Sequence, residues 1–127
     1  MSLRSLLNVL LVSAALFAQA AFARALPAAI KAAQANGTAS LAVGHTHTCT
    51  SLGFFTGQIA RVGLIGLGMT NASPIVAPPG GKRRVIGTNP MAFSAPDGQG
   101  GVAMQFDQST TTVALGKITM AKATGES

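Results

Sequence analysis

The chain has 127 residues, enough for one domain with a modest core, and its 48% apolar content excludes a disordered tail. Charged residues are only 9%, so a partner subunit, a membrane or further polypeptide is expected to cover much of the surface. The net charge of +6 does not make a nucleic-acid binder: only Lys82, Arg83 and Arg84 cluster, and there is no Trp or Tyr to stack on bases.

Residues 1–25 combine the positive Arg4, an apolar stretch from Leu6 to Phe17 and the small-x-small site Ala21-Phe22-Ala23. That is the pattern of a secretory signal, although a buried Ala-rich helix explains the same run. The stretch is short for a membrane span. Pro27 to Ala35 is strongly helix-forming and is stopped by Asn36-Gly37. Ala39 to Val43 has strand character and leads into the polar segment Gly44 to Ser51. Leu52 to Arg61 returns to a helical period, and Leu64 to Thr70 reads as a second buried strand.

Asn71 to Pro90 is rich in Pro and Gly, and an ordered loop of that length usually serves a site or an interface. Met91 to Ala95 is expected as a strand ending at the turn Pro96-Asp97-Gly98. Val102 to Phe106 is a further strand, and Ser109 to Lys122 opens a helix. Helices alternating with apolar strands predict an α/β domain.

Several motifs point to chemistry, and each has a plainer explanation. Gly63, Gly66 and Gly68 evoke a dinucleotide fingerprint, but its third glycine position is Asn71 and no helix follows; close packing of a buried strand fits better. Gly80-Gly81-Lys82 lacks the Ser or Thr of a phosphate loop. Cys49 is the only cysteine, which rules out an intrachain disulfide and a Cys-based zinc site. His45 and His47 share one face on an extended chain, yet without a third ligand a hydrogen-bonded polar loop is the better reading. No metal is expected. Asp107, at the end of the apolar run from Val102, could accept from ribose hydroxyls or backbone amides; capping the following helix is an equal alternative. In Gly87-Thr88-Asn89-Pro90 the hydroxyl and amide suit a carboxylate substrate, while turn chemistry alone explains the glycine and proline.

The order and spacing of these blocks are more specific than any one of them. THTCTSLG, GLIGLGMTNASPIVAPPGGKRRVIGTNPMAFSAPDG, VAMQFDQST and ALGKI resemble successive blocks of the malate/L-lactate dehydrogenase-like family, most of all its Δ1-pyrroline/Δ1-piperideine-2-carboxylate reductases. The resemblance runs from about Phe17 to the end, and GTNP with the preceding APPGG stretch carries most of it.

The resemblance implies an α/β, non-Rossmann NAD(P)-binding domain in residues 26–127, homodimeric and cytoplasmic. It further implies reduction of a cyclic imino acid or a 2-oxo acid by NADPH or NADH. Thr48, Cys49, Thr50, Ser51 and Leu52 match one cofactor-contacting segment, Asp107, Gln108 and Ser109 a second, and Thr88 a substrate-binding threonine. The family's proton-donating histidine, its serine partner and a substrate-binding arginine lie in an N-terminal helical region with no counterpart here. No catalytic residue therefore carries over. A supporting aspartate of some imine reductases is replaced by Lys117. The chain is thus expected to be a central piece of such an enzyme, inactive alone. The competing expectation is an exported, non-enzymatic domain starting at Arg24 that binds a small ligand or a partner.

Overall fold

The computed structural model describes residues 9–13, 18–46, 51–113 and 115–125. The chain divides into two compact units, Met1–Ser51 and Leu52–Ser127.

The first unit is a β-α-β crossover. Strand β1 (Val9–Ser13) pairs in parallel with β2 (Ser40–Gly44), and helix α1 (Ala18–Asn36) connects them. Parallel neighbours need such a crossover, because no tight turn can join them. Ala18, Ala21, Phe22 and Ala25 are the buried residues of α1, at the spacing of one helical face. That stripe carries α1 from Ala18 through Pro27, so the helix takes in the Ala-rich run read as the alternative to a signal and does not start at Pro27, where local propensity alone would begin it. The C-terminal stop is as expected: Gly37 takes a left-handed φ of 80° and its N–H donates to the Ala33 carbonyl at 2.8 Å. Val9–Ser13, inside the signal-like apolar stretch, forms a strand rather than a helix. β-branched and leucine side chains in a short run suit either state, and pairing with β2 decides it.

The second unit is an antiparallel meander under one helix. Strands β3 (Gly66–Met69), β4 (Met91–Pro96) and β5 (Val102–Gln108) lie in that order, and α2 (Gly53–Arg61) packs on one face. The register places Gly66, Gly68, Ala92, Ser94, Gln105 and Asp107 on the α2 face. Leu67, Met69, Met91, Phe93, Met104, Phe106 and Gln108 lie on the other. Small residues on the inner face let the helix approach closely. A Cβ at Gly66 would lie 2.7 Å from the Thr56 carbonyl oxygen, so only glycine fits there. Gly66 and Gly68 are packed closely against α2 as their spacing suggested, but Gly63 precedes the strand at a left-handed φ of 82° with open space around it. β3 is shorter than the buried strand expected over Leu64 to Thr70, with Leu67 and Met69 exposed on its outer face. A loop, not a helix, follows β3.

Residues 71–90 are a long connection whose one β-contact is an isolated bridge between Val76 and Ile86. The hairpin between β4 and β5 is closed by Asp97, whose carboxylate accepts from the N–H groups of Gln99 at 2.7 Å and Gly101 at 2.8 Å. These bonds, Gln99 first and Gly101 second, hold its carboxyl below its ordinary value. Two boundaries depart from expectation. β5 runs on to Gln108, because Asp107 and Gln108 pair with Ala92 and Met91. Helix α3 (Leu115–Thr124) starts later than Ser109, since Ser109 and Thr111 engage each other's hydroxyls in a local turn. The α/β class holds, as one parallel unit and one antiparallel sheet under a helix.

Candidate functional site

The polar groups of the second unit gather in two places, on opposite sides of the sheet. The first lies between α2 and the inner face. Leu52 precedes α2 with no side-chain cap, so the helix start must find partners elsewhere. Strand β5 provides them. Asp107 Oδ2 accepts from the Gly53 N–H at 2.7 Å, a charged acceptor at the positive end of a helix. Two residues earlier on the same face, Gln105 Nε2 donates to the Gly53 carbonyl and to Ser94 Oγ, each at 2.8 Å. Ser94 Oγ and Thr56 Oγ1 complete the chain at 2.8 Å, and both side chains are fully buried. No buried side-chain polar atom among the described residues lacks a partner.

The second place is a cleft of about 520 Å³, lined by Met69, Thr70, Asn71, Asn89, Pro90, Met91, Gln108, Ser109 and Thr110. It lies where β3 and β5 end and β4 begins, and three hydrogen bonds set its walls. Thr70 N–H donates to the Pro90 carbonyl at 3.2 Å, and Thr110 N–H to the Thr88 carbonyl at 3.0 Å. Asn89, at a left-handed φ of 36°, turns its Oδ1 onto the Ala72 N–H at 3.0 Å. Gly87 is buried, and only glycine fits there because a Cβ would collide with the Ala72 carbonyl and Asn89 Oδ1. The GTNP turn is therefore a knot tying residues 70–72 and 110 together. With Oδ1 engaged, the NH2 group of Asn89, a lining residue, is the half of its amide left to donate.

These two places separate the residues singled out from the sequence. Gln108 and Ser109 line the cleft, whereas Asp107 leaves the sheet on the opposite face and meets Gly53. It does not cap the helix that follows it; it serves α2. Thr88 is absent from the lining, but its carbonyl holds Thr110 at the cleft wall, reinforced by the Thr110 hydroxyl at 3.1 Å. Leu52 is buried, with its carbonyl accepting from the N–H groups of Phe55 and Thr56, so a ligand could meet only its backbone. Ser51 is exposed. Thr48, Cys49, Thr50 and His47 lie outside the described residues. His45 is exposed with a left-handed φ of 53°.

Among the described residues no three His, Cys, Asp or Glu side chains gather to hold a metal, and no helix is long and apolar enough to cross a membrane. Sequence reasoning missed Gln105, Asn71 and Thr110. For Gln105 a signal existed: in Val102-Ala-Met-Gln-Phe-Asp the polar residues at 105 and 107 fall at the two-residue period of one strand face.

Comparison with known proteins places this arrangement. The family described as malate/L-lactate dehydrogenase matches residues 7–127. The ureidoglycolate dehydrogenase (NAD(+)) of Escherichia coli O157:H7 is 43% identical over 90 residues, which are 71% of this chain and 26% of that protein. The (2R)-3-sulfolactate dehydrogenase (NADP(+)) of Chromohalobacter salexigens is 39% identical over 106 residues, 84% of this chain and 32% of that protein. Among solved structures, the Δ1-piperideine-2-carboxylate reductase of Pseudomonas syringae superimposes with a TM-score of 0.76 at 35% identity, covering 87% of this chain and 33% of that one. The chain spans about a quarter to a third of the length of these relatives.

Proposed function

The chain belongs to the malate/L-lactate dehydrogenase family, and we propose that it forms one wall of the cleft in which such an enzyme transfers a hydride between NAD(P)H and a small carboxylic acid. The substrate is a cyclic imino acid of the Δ1-pyrroline- or Δ1-piperideine-2-carboxylate type, or a 2-oxo acid. The observation that carries the reading is the composition of the cleft at the sheet ends. Met69, Pro90 and Met91 offer apolar surface to a flat ring, while Asn71, Asn89, Gln108, Ser109 and Thr110 offer neutral donors and acceptors. That set fits the carboxamide and ribose hydroxyls of the nicotinamide end. With no lysine or arginine in the lining, it does not fit the pyrophosphate, which belongs elsewhere on the enzyme.

The nicotinamide, when bound, supplies the hydride. This chain's residues hold and orient. The Asn89 NH2 and the Gln108 amide can fix a carboxamide or a substrate carboxylate, and Thr88 keeps Thr110 in place through its carbonyl. The lining contains no group that titrates near neutral pH, so the proton for the substrate nitrogen or oxygen comes from outside this cleft. The Thr48–Leu52 segment and Ser109 serve as further cofactor contacts in this reading.

Homodimeric assembly and a cytoplasmic location go with the family resemblance. Retention of the N-terminus is supported by α1: cleavage after Ala23 would remove β1 and three of the four buried residues of that helix.

The test is calorimetric titration of NADPH and NADH into the chain completed to family length with the flanking segments of the Pseudomonas syringae reductase. Binding is expected, weakened about tenfold or more by Gln108→Leu, close to 1.4 kcal/mol. A folded completed polypeptide that binds neither nucleotide contradicts the proposal.

A further inference from the structure

The pairing of α2 with β5 has a geometry that helix capping alone does not require. A helix start usually takes its cap from the residue just before it. Here that residue is Leu52, whose side chain has no acceptor to give. The cap comes instead from Asp107, 54 positions away. Gly53 is held at both of its backbone polar groups by side chains two residues apart on one strand: Asp107 takes its N–H and Gln105 its carbonyl. The absence of a side chain at residue 53 allows this approach, since a Cβ there would meet Asp107 Oδ2 at 3.2 Å and Gln105 Cδ at 3.4 Å. Behind the clamp, Ser94 Oγ accepts from the amide of the exposed Gln105 and is itself bonded to the buried Thr56 hydroxyl. Gln108, the next residue of β5, points into the cleft on the opposite face.

We propose that Asp107 and Gln105 are positioning residues that clamp Gly53 and thereby fix the backbone at Leu52–Gly53, so that Asp107 acts on nucleotide binding through the α2 start and not by touching the nucleotide. This rests on the reading of Leu52 as cofactor-contacting. Strand β5 then works on both faces, with Gln108 lining the cleft and Gln105 and Asp107 setting the start of α2 on the other.

The clamp is tested by amide hydrogen exchange on the 127-residue chain, read over residues 52–57, with the β4–β5 hairpin as the control for folding. Asp107→Ala and Gln105→Ala should each speed exchange in the first turn of α2 by about tenfold, from the loss of one part-buried hydrogen bond to Gly53. Asp107→Asn keeps an acceptor for the Gly53 N–H and should restore most of the protection. Unchanged exchange in Asp107→Ala overturns the clamp.

The consequence is tested by NADPH titration and steady-state kinetics in the completed polypeptide. Asp107→Ala should weaken NADPH about tenfold while the KM of the acid substrate stays within about twofold. Asp107→Asn should recover most of that affinity. If Asp107→Asn binds NADPH as poorly as Asp107→Ala while α2 stays protected, the carboxylate meets the nucleotide directly and the proposal is wrong. If the unsubstituted polypeptide binds no NADPH, the cofactor reading falls and takes this consequence with it; exchange still judges the clamp.

Discussion

Removing the Ser94 hydroxyl should destabilise the second unit by about 2 kcal/mol. Ser94 is fully buried, and its oxygen meets Thr56 Oγ1 and Gln105 Nε2, each at 2.8 Å. Ser94→Ala deletes both contacts and brings no water in. Each intramolecular bond is worth about 1 kcal/mol net, with more lost where a buried partner is left unsatisfied. The partners keep something: Gln105 retains the Gly53 carbonyl at 2.8 Å, and Thr56 retains only long contacts of 3.5 Å to the carbonyls of Leu52 and Gly53. The loss therefore falls between about 1 and 3 kcal/mol, and Thr56 is the worse-served partner. Urea unfolding followed by circular dichroism reads it as a lower midpoint at unchanged slope. Thr56→Val in the Ser94→Ala background should then cost less than Thr56→Val alone, because the shared bond is already gone. A Ser94→Ala chain within about 0.5 kcal/mol of the original, or purely additive effects, would refute the network as an energetic unit.

Three further outcomes follow from separate features. Gly66→Ala should cost about 1–3 kcal/mol by the same unfolding assay, since its Cβ would press on the Thr56 backbone and, at 3.1 Å, on Ile59 Cβ; a neutral effect would mean that α2 does not sit so close. The Asp97 carboxyl is held below its ordinary value by the Gln99 and Gly101 N–H groups, so it stabilises the hairpin at pH values above the normal carboxylate range. That contribution is lost as pH falls through the depressed value. The amide resonances of Gln99 and Gly101 should move with this titration, and a midpoint at or above the ordinary value would contradict the turn geometry. The outer sheet face exposes Leu67 (56%), Met69 (69%) and Met104 (53%) beside the stacked Phe93–Phe106 pair. The isolated chain should therefore bind an apolar fluorescent dye and associate with rising concentration, both reduced by Met104→Lys; a dye-silent monomer would show that this face is covered.

The sequence carried the elements whose signals are local. The Asn36-Gly37 stop, the strand from Met91 and the Pro96-Asp97-Gly98 turn follow from short-range chemistry, and the structure has them. The start of α1 was harder. Pro27 marks a good helix beginning in isolation, but the buried stripe from Ala18 to Phe22 and Ala25 outweighs it once packed. The candidate site was legible as a set of blocks and not as a geometry. Asp107, Gln108 and Ser109 read as one contact segment, yet strand alternation turns Asp107 to α2 and Gln108 to the cleft. Gln105 went unnoticed because its partners, Gly53 and Ser94, are distant in sequence and meet only through the sheet register.

The most direct test of hydride transfer in this cleft uses NADPH deuterated at the transferring position of the nicotinamide. The completed polypeptide is incubated with Δ1-piperideine-2-carboxylate or a 2-oxo acid, and the product is analysed by mass spectrometry. Deuterium bound to the former imine or carbonyl carbon is expected, with a rate about tenfold or more lower when Gln108 is replaced by Leu. A folded, NADPH-bound polypeptide that puts no deuterium into either acid, or whose rate ignores Gln108→Leu, contradicts the assignment of this cleft.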